Sequence, residues 1–537
     1  MRFRSIYLSA ALAIAVLSCG PAKITADPIA VKSPIVAKKA KLAESQEKRW
    51  SHLDIVKDTV PGMSVDRAYE LLKKRKGEKV IVGVVDSGVD IEHPDLKAVI
   101  WTNKDEIAGN GKDDDNNGYV DDIHGWNFLG NAEHENLEFV RILKKGDDGS
   151  ATYKRAKAEY DKEWEDAQAM KQQIDFVVNI DKKIRKELKK DNYTAEDLKN
   201  LKSSDPMINA VKPQLLDMLE QRSKEELDKE IQDGLEYVQN KIDYNLNTKF
   251  DGRKIVGDNP NDFNDRDYGN NNVTGPKKDG AKHGTHVAGI IAQGRGNGIG
   301  GDGVASNNVE IMAVRAVPDG DEYDKDVALA IRYAVDNGAK VINGSFGKYF
   351  STHSDWVYDA IKYAASKDVL IVCAAGNESY DLNEGGKVKE RYPNDSMLSP
   401  NEISDTFLTI GAIYYEMDEN LLADFSNYGK QEVDIFSPGM RIYATTPNNG
   451  YEYQQGTSMA SPNAAGVAAL IRSYYPNLKA SEVKQVIMES GVPVSMMVNL
   501  GGDPDKQRNF KELSRTGKIV NAYNAIILAD KMSRNKK

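Results

Sequence analysis

Cysteine is scarce in this chain, two among 537 residues. Cys19 closes an apolar leader and leaves Cys373 without a partner, so no intrachain disulfide is expected. Cys373 sits in the apolar run Val369–Ala374 and reads as a small core residue rather than a reactive thiol. An excess of positive charge is also missing. The formal net charge is −10 and the isoelectric point is near 5.5, which excludes a nucleic-acid binder that relies on a basic face. The acidity fits a secreted protein, or one with acidic metal sites. The leader Ile6–Leu17 is too short for a permanent bilayer span. What remains is 40% hydrophobic and 29% charged, a soluble globular body with one unusually charged portion.

The leader has a basic start, Met1-Arg2-Phe3-Arg4, and ends in Val16-Leu17-Ser18-Cys19-Gly20. That ending resembles a bacterial lipobox, in which the cysteine is lipidated after cleavage. Residues 1–18 then form a lipoprotein signal peptide and Cys19 the lipid attachment point. The expected location is extracytoplasmic, with membrane contact only through this lipid. An ordinary signal peptide cut near Gly20-Pro21-Ala22 is the alternative. Residues 19–48 are polar and unpatterned and read as a tether.

From Lys79 the pattern changes. Val80–Val85 is a continuous apolar run, expected of a strand buried on both faces of a parallel sheet. Similar runs lie at 309–317, 341–346, 369–375 and 407–413, with helical patterns at 326–337, 355–366 and 461–474 and a shorter helix before Gly491. The alternation predicts an α/β fold, a parallel β-sheet flanked by helices on both faces. Residues 131–261 break this rhythm. Val177, Ile180, Ile184 and Leu188 recur at helical spacing, as do Leu227, Ile231, Leu235, Val238 and Ile242. They predict two long amphipathic helices paired as an antiparallel hairpin. A catalytic domain at 49–130 and 262–537 would thus carry a charged helical insertion.

Three segments hold the chemistry: Asp86-Ser87-Gly88, His283-Gly284-Thr285-His286-Val287-Ala288-Gly289 and Gly456-Thr457-Ser458-Met459-Ala460-Ser461-Pro462. A serine hydroxyl needs a base within reach, and the base needs an orienting acid. Asp86 ends an apolar strand, where a carboxylate is costly unless it is partnered. His283 and Ser458 both open predicted helices, and Pro462 is expected in the first helical turn. His286 is expected to be structural. The order Asp, His, Ser, with Asp90, His93-Pro94-Asp95-Leu96 and Ala374-Ala375-Gly376-Asn377, resembles the subtilisin-like serine proteases. The resemblance implies their three-layer fold and a triad of Asp86, His283 and Ser458. It also implies that Asn377 donates to the oxyanion beside the Ser458 N–H. Asn463, where many relatives have His, and Asn394 depart from the family pattern. No room remains before Lys79 for the family's compact inhibitory prodomain.

The same resemblance places an extended peptide substrate against Asn343–Gly347. Ser345, Phe346, Gly347, Ala374, Ala375 and Gly376 would line a primary pocket with mostly small, apolar walls suited to hydrophobic side chains, and Glu378 at the rim would tolerate a basic one. Asp113, Asp115, Asn117 and the Tyr119 carbonyl alternate like the first half of a calcium loop, with Gly118 at the turn and Asp121 or Asp122 to complete the shell. Asp95 and Asn297 side chains with Ile299 and Gly301 carbonyls resemble a calcium site of the family. The function expected is an anchored, secreted, monomeric serine endopeptidase that takes protein or peptide substrates and holds structural calcium. The competing reading is a self-blocked or inactive lipoprotein that docks a partner through its insertion.

Overall fold

The strand that carries Asp86 is apolar throughout because both of its faces are covered. In the computed structural model, which describes residues 23–30, 38, 41–383, 389–396 and 402–536, this strand is Val80–Asp86 (β1). Val82 and Val84 join one buried cluster with Val287, Ile291 and Val467, whereas Val85 joins a second with Val327, Ile331 and Ile361. Short β2 (Gly125–Asn127) follows, then β3 (Val309–Arg315), β4 (Val341–Gly344), β5 (Leu370–Ala374), β6 (Phe407–Ile413) and β7 (Ile435–Pro438). The hairpin of β8 (Ile442–Thr446) and β9 (Gly450–Gln454) precedes β10 (Val492–Pro493). The pair β11 (Met497–Leu500) and β12 (Asp503–Asn509), and then β13 (Lys518–Ile519), complete the strands.

Nine strands form one sheet in the order β10-β13-β7-β6-β5-β4-β1-β3-β2. All neighbours are parallel except the edge pair β10–β13. The expected α/β class, a parallel sheet covered on both faces, is observed. β1 has β3 on one side and β4 on the other, so the strand order reverses at β1. A crevice at the carboxyl ends of the strands is expected at such a point, and Asp86 is the last residue of β1.

One face is covered by two helices that pack against each other. One starts with the histidine segment (Lys282–Ala292) and the other with the serine segment (Thr457–Tyr474). The paired helices Asp324–Asp336 and Ser354–Ser366 cover the opposite face. The histidine helix begins hard against the end of β1. A Cβ on Gly284 would lie 2.1 Å from the Gly88 carbonyl oxygen and 3.1 Å from Asp86 Cβ.

The charged insertion is helical but is not a simple hairpin. One helix of 38 residues, Ala151–Leu188, is followed by Ala195–Asn200, Pro206–Gln221 and Lys224–Asn240. The return arm breaks at Arg222-Ser223, where Ser223 Oγ accepts from Glu226 N (3.2 Å) and Glu226 returns a bond to Ser223 N (2.8 Å). This reciprocal cap starts a new helix. The apolar stripes accordingly split into two small cores. Ile180 and Ile184 pack with Tyr193, Leu198 and Ile208, while Val238 packs with Ala156, Ala167 and Phe139. Val177 is left exposed.

Within the segment read as a tether, residues 23–30 run along the C-terminal helix Ala522–Arg534. Ile24 N donates to Asp530 Oδ2 (3.0 Å) and Ile29 N to Asn524 Oδ1 (2.7 Å). Residues 1–18 and Cys19 lie outside the described residues. Among the described residues no helix is long and apolar enough to cross a membrane.

The Gly284 contact is testable. Gly284→Ala is expected to cost about 1–3 kcal/mol, the usual penalty for forcing extra volume into a packed site. The urea midpoint would fall with an unchanged slope; an unchanged midpoint would show that the helix start can shift freely.

Candidate active site

The described structure places the three chemical segments at one end of the sheet. Asp86 is 1% exposed, and its Oδ1 accepts from His283 Nδ1 (2.7 Å) and from Ser87 N (2.7 Å). Its Oδ2 is buried and has no hydrogen-bond partner. With Nδ1 directed at the carboxylate, Nε2 is the ring nitrogen left for chemistry. Burial of the His283 ring disfavours its charge, but the Asp86 carboxylate and its hydrogen bond outweigh this, and the pKa is raised above the ordinary 6.5. His286 differs. It is fully buried and its Nε2 contacts the Glu452 carbonyl (3.0 Å). Burial pushes its pKa down to about 3, as suits a neutral structural imidazole.

Ser458 is the second residue of its helix. Its Oγ donates to the Ser345 carbonyl (2.9 Å), and Ser345 Oγ donates back to the Ser458 carbonyl (2.8 Å). The second bond has a cause in the sequence. Pro462 lies one turn deeper in the helix than expected, four residues after Ser458, and proline has no N–H to give to the Ser458 carbonyl. Ser345 Oγ takes that place. Asn343 Nδ2 donates to Ser345 Oγ (2.9 Å) and Ser461 Oγ donates to Asn343 Oδ1 (2.8 Å), which ties β4 to the serine helix. Asn463 is buried and donates to the Pro438 and Met459 carbonyls.

Asn377 follows β5. Its Oδ1 accepts from Thr457 N (2.8 Å) and Thr457 Oγ1 (2.9 Å), and Thr457 Oγ1 also accepts from Gly376 N (3.0 Å). With its carbonyl held on Thr457, Asn377 keeps its NH₂ for a ligand beside Ser458. Thr457 was not singled out from the sequence; its position next to Ser458 was the available signal.

A cavity of about 200 Å³ opens beside Ser458 and Asn377. Phe346, Gly347, Ala374 and Gly376 line it as expected. Ser345 and Ala375 do not, since Ser345 is turned toward Ser458 and the Ala375 carbonyl accepts Arg391 Nε (2.9 Å). The expectation of mostly small apolar walls needs correction, because Asp321, Glu322, Glu378 and Arg391 also line the cavity. Asp321 and Glu322 come from the loop after β3, whose approach to the pocket no sequence spacing reveals. Asn394 is buried, with Nδ2 on the Arg391 carbonyl and Oδ1 accepting from Ser396 N.

In the acidic loop, Glu106, Asp113 and Asp115 each offer a carboxylate oxygen within 4.8 Å of one another. Three hard oxygen donors suit calcium. Glu106 was missed because it lies outside the Asp-Asn run. Gly118 adopts φ +96° at the turn. Asn117 Nδ2 bridges Asp115 (3.1 Å) and Asp122 (3.1 Å). Tyr119 packs its ring on Trp126, Phe128 and Tyr333. Asp121 is committed elsewhere, accepting from Gly109 N (2.8 Å), Asn110 N (3.2 Å) and Gly111 N (2.9 Å). At the second position Asp95 and Asn297 do meet. Asp95 Oδ1 accepts from Asn297 Nδ2 (2.5 Å) and Gly294 N (3.0 Å), and Ile299 N donates to Asn297 Oδ1 (3.2 Å). Gly301 lies near Gln293 and Tyr443.

Residues 77–515 match the family model described as the subtilase family. The chain is 37% identical over 256 residues to "Thermophilic serine proteinase" of Bacillus sp. (strain AK1), which covers 47% of this chain and 55% of that protein. It is 36% identical over 207 residues to "Subtilisin DY" of Bacillus licheniformis, covering 38% and 69%, and 31% identical over 296 residues to "Subtilisin-like protease 1" of Plasmodium vivax, covering 51% and 45%. The chain thus spans about half the length of the first and third of these relatives. Among solved structures, a protease from Pseudoalteromonas arctica PAMC 21717 aligns at 26% identity with a TM-score of 0.36, over 46% of this chain and 70% of that one. The family model extends from just before β1 to just before β13, across the residues that carry all three chemical segments, and the chain belongs to the subtilase family.

Proposed function

We propose that this chain is a secreted serine endopeptidase, anchored by a lipid on Cys19 and facing the extracytoplasmic side of a bacterial membrane, active as a monomer on protein or peptide substrates. The observation that carries the reading is the 2.7 Å bond from His283 to the buried Asp86, in a crevice where Asn377 is held beside Ser458 with its amide nitrogen free. In the proposed reaction Ser458 Oγ attacks the peptide carbonyl carbon and its proton passes to His283 Nε2. Asp86 keeps the ring oriented and stabilises the imidazolium. Asn377 Nδ2 and the Ser458 N–H receive the oxyanion. His283 then protonates the departing amine, and water cleaves the Ser458 ester by the reverse route. The Ser458 hydroxyl must first leave the Ser345 carbonyl, a rotation that substrate binding would favour by pairing with the same strand.

Glu106, Asp113 and Asp115 are proposed to hold a structural calcium, with Asn117 and the Tyr119 carbonyl completing its shell. Asp95 and Asn297, with the Ile299 and Gly301 carbonyls, are proposed to hold a second. The Asn297 amide would turn its oxygen inward to do so. Calcium there would fix surface loops and take no part in bond cleavage.

A fluorophosphonate probe is expected to label the folded protein, and Ser458→Ala to abolish both labelling and peptide cleavage. Absence of labelling would favour the self-blocked alternative. The pH dependence has a fixed sign. His283 must be neutral to accept a proton, so kcat/KM falls as pH drops through its pKa. The midpoint is expected above 6.5, the ordinary histidine value, measured on peptide substrates between about pH 5 and 9. A midpoint below 6.5 would contradict the Asp86 pairing. EGTA is expected to lower the melting temperature, because a ligand at about a hundred times its Kd contributes about 2.7 kcal/mol. An unchanged melting curve would remove calcium from the description.

A further inference from the structure

Burying a carboxylate is expensive unless a cation or several hydrogen bonds compensate it. The cavity beside Ser458 is lined by such a carboxylate, and no side chain is paired with it. Glu322 is 3% exposed, and its Oε1 is buried with no hydrogen-bond partner. Asp321 lines the same cavity. Its carboxylate accepts only a backbone bond, from Glu138 N (2.7 Å). No ion pair among the described residues involves either group.

The cations close by are already engaged. Lys348 Nζ is taken by Glu138 (3.0 Å) and Asp324 (3.1 Å), and it reaches Glu322 only at the main-chain carbonyl (2.7 Å). Arg141 pairs with Glu138 and donates to the Asn136, Asp321 and Glu322 carbonyls. Arg391, in the cavity wall, directs its guanidinium at the Ala374, Ala375 and Pro393 carbonyls. With Glu378 at the rim, the cavity lining carries three carboxylates against one guanidinium. Phe346, Gly347 and Ala374 add apolar surface to the same lining. A lining that combines apolar surface with carboxylates matches a side chain with an aliphatic stem and a cationic head.

We propose that this cavity selects substrates with lysine or arginine on the acyl side of the cleaved bond, with Glu322 and Asp321 as the specificity-determining acids. The inference rests on the protease reading above. An entering ammonium or guanidinium supplies the charge partner that Glu322 lacks, while its methylenes cover Phe346 and Ala374. A neutral aromatic side chain leaves the carboxyl groups without a partner, and an acidic one adds further negative charge beside them.

The test is a positional library of internally quenched peptides cleaved by the wild-type enzyme. Lysine or arginine on the acyl side is expected to exceed norleucine about tenfold in kcat/KM, and benzamidine to inhibit far better than neutral benzamide. Glu322→Gln is expected to reduce the lysine-to-norleucine ratio about tenfold. If that variant does not fold, Asp321→Asn and the wild-type comparison of the two inhibitors carry the test. A preference for aromatic or acidic residues, or a ratio unmoved by Glu322→Gln in folded enzyme, overturns the inference. Fluorophosphonate labelling separates the two failures. Labelled enzyme without basic preference refutes the specificity alone, whereas absent labelling refutes the protease reading beneath it.

Discussion

The close approach of one helix to one strand end governs this site. The first turn of Lys282–Ala292 comes so near the end of β1 that residue 284 has no room for a Cβ between Gly88 and Asp86. That approach brings the imidazole Nδ1 within hydrogen-bond distance of a carboxylate that is almost wholly excluded from water. Desolvation raises the cost of the charge on Asp86 and strengthens its attraction for the ring at the same time. The acid-base pair is therefore a product of main-chain packing. The side chains follow from where the two backbones are allowed to meet.

A second layer of polar contacts fixes the remaining groups, and each contact answers a deficit in the backbone. Pro462 leaves the Ser458 carbonyl without its helical partner, and Ser345 supplies one. The amide N–H groups at the start of the serine helix have no carbonyl before them; Asn377 Oδ1 accepts one at Thr457, and the same bond orients Asn377. The structural cost of starting a helix beside Ser458 is thereby turned into orientation of the groups around it.

Much of the body was legible because a strand buried on both faces must be apolar at every position. Val80–Val85 and the runs near 309, 341, 369 and 407 could be placed on that ground alone. The short β7 and the half-polar hairpin β8–β9 were not, since Tyr, Thr and Glu alternate there on a partly exposed surface. The segments of Asp86, His283 and Ser458, which the fold brings to one end of the sheet, stood out by residue type and order, whereas the groups that position them did not. Thr457 and Ser345 act through contacts between distant parts of the chain. The break in the insertion hung on Ser223 and Glu226, a four-residue capping signal inside a long periodic stretch. Glu106 stands seven residues before Asp113 and reaches it only because the loop folds back. Asp321 and Glu322 carry no sequence signal, and only the fold brings them to the cavity beside Ser458.

The helix Glu138–Lys144 opens the inserted region with a buried ion cluster, Glu138 and Arg141 against Lys348 and Asp324. Lys348 directly follows the strand on which a substrate would lie. Arg155, near the start of the 38-residue helix, donates to the Tyr349 carbonyl (2.9 Å) one residue further on. At 1.5 Å per residue that helix is a rod of about 57 Å, joined near its base to Tyr349. Mechanically it is a lever rather than an appendage. A load applied at its far end would reach Tyr349 directly through the Arg155 bond.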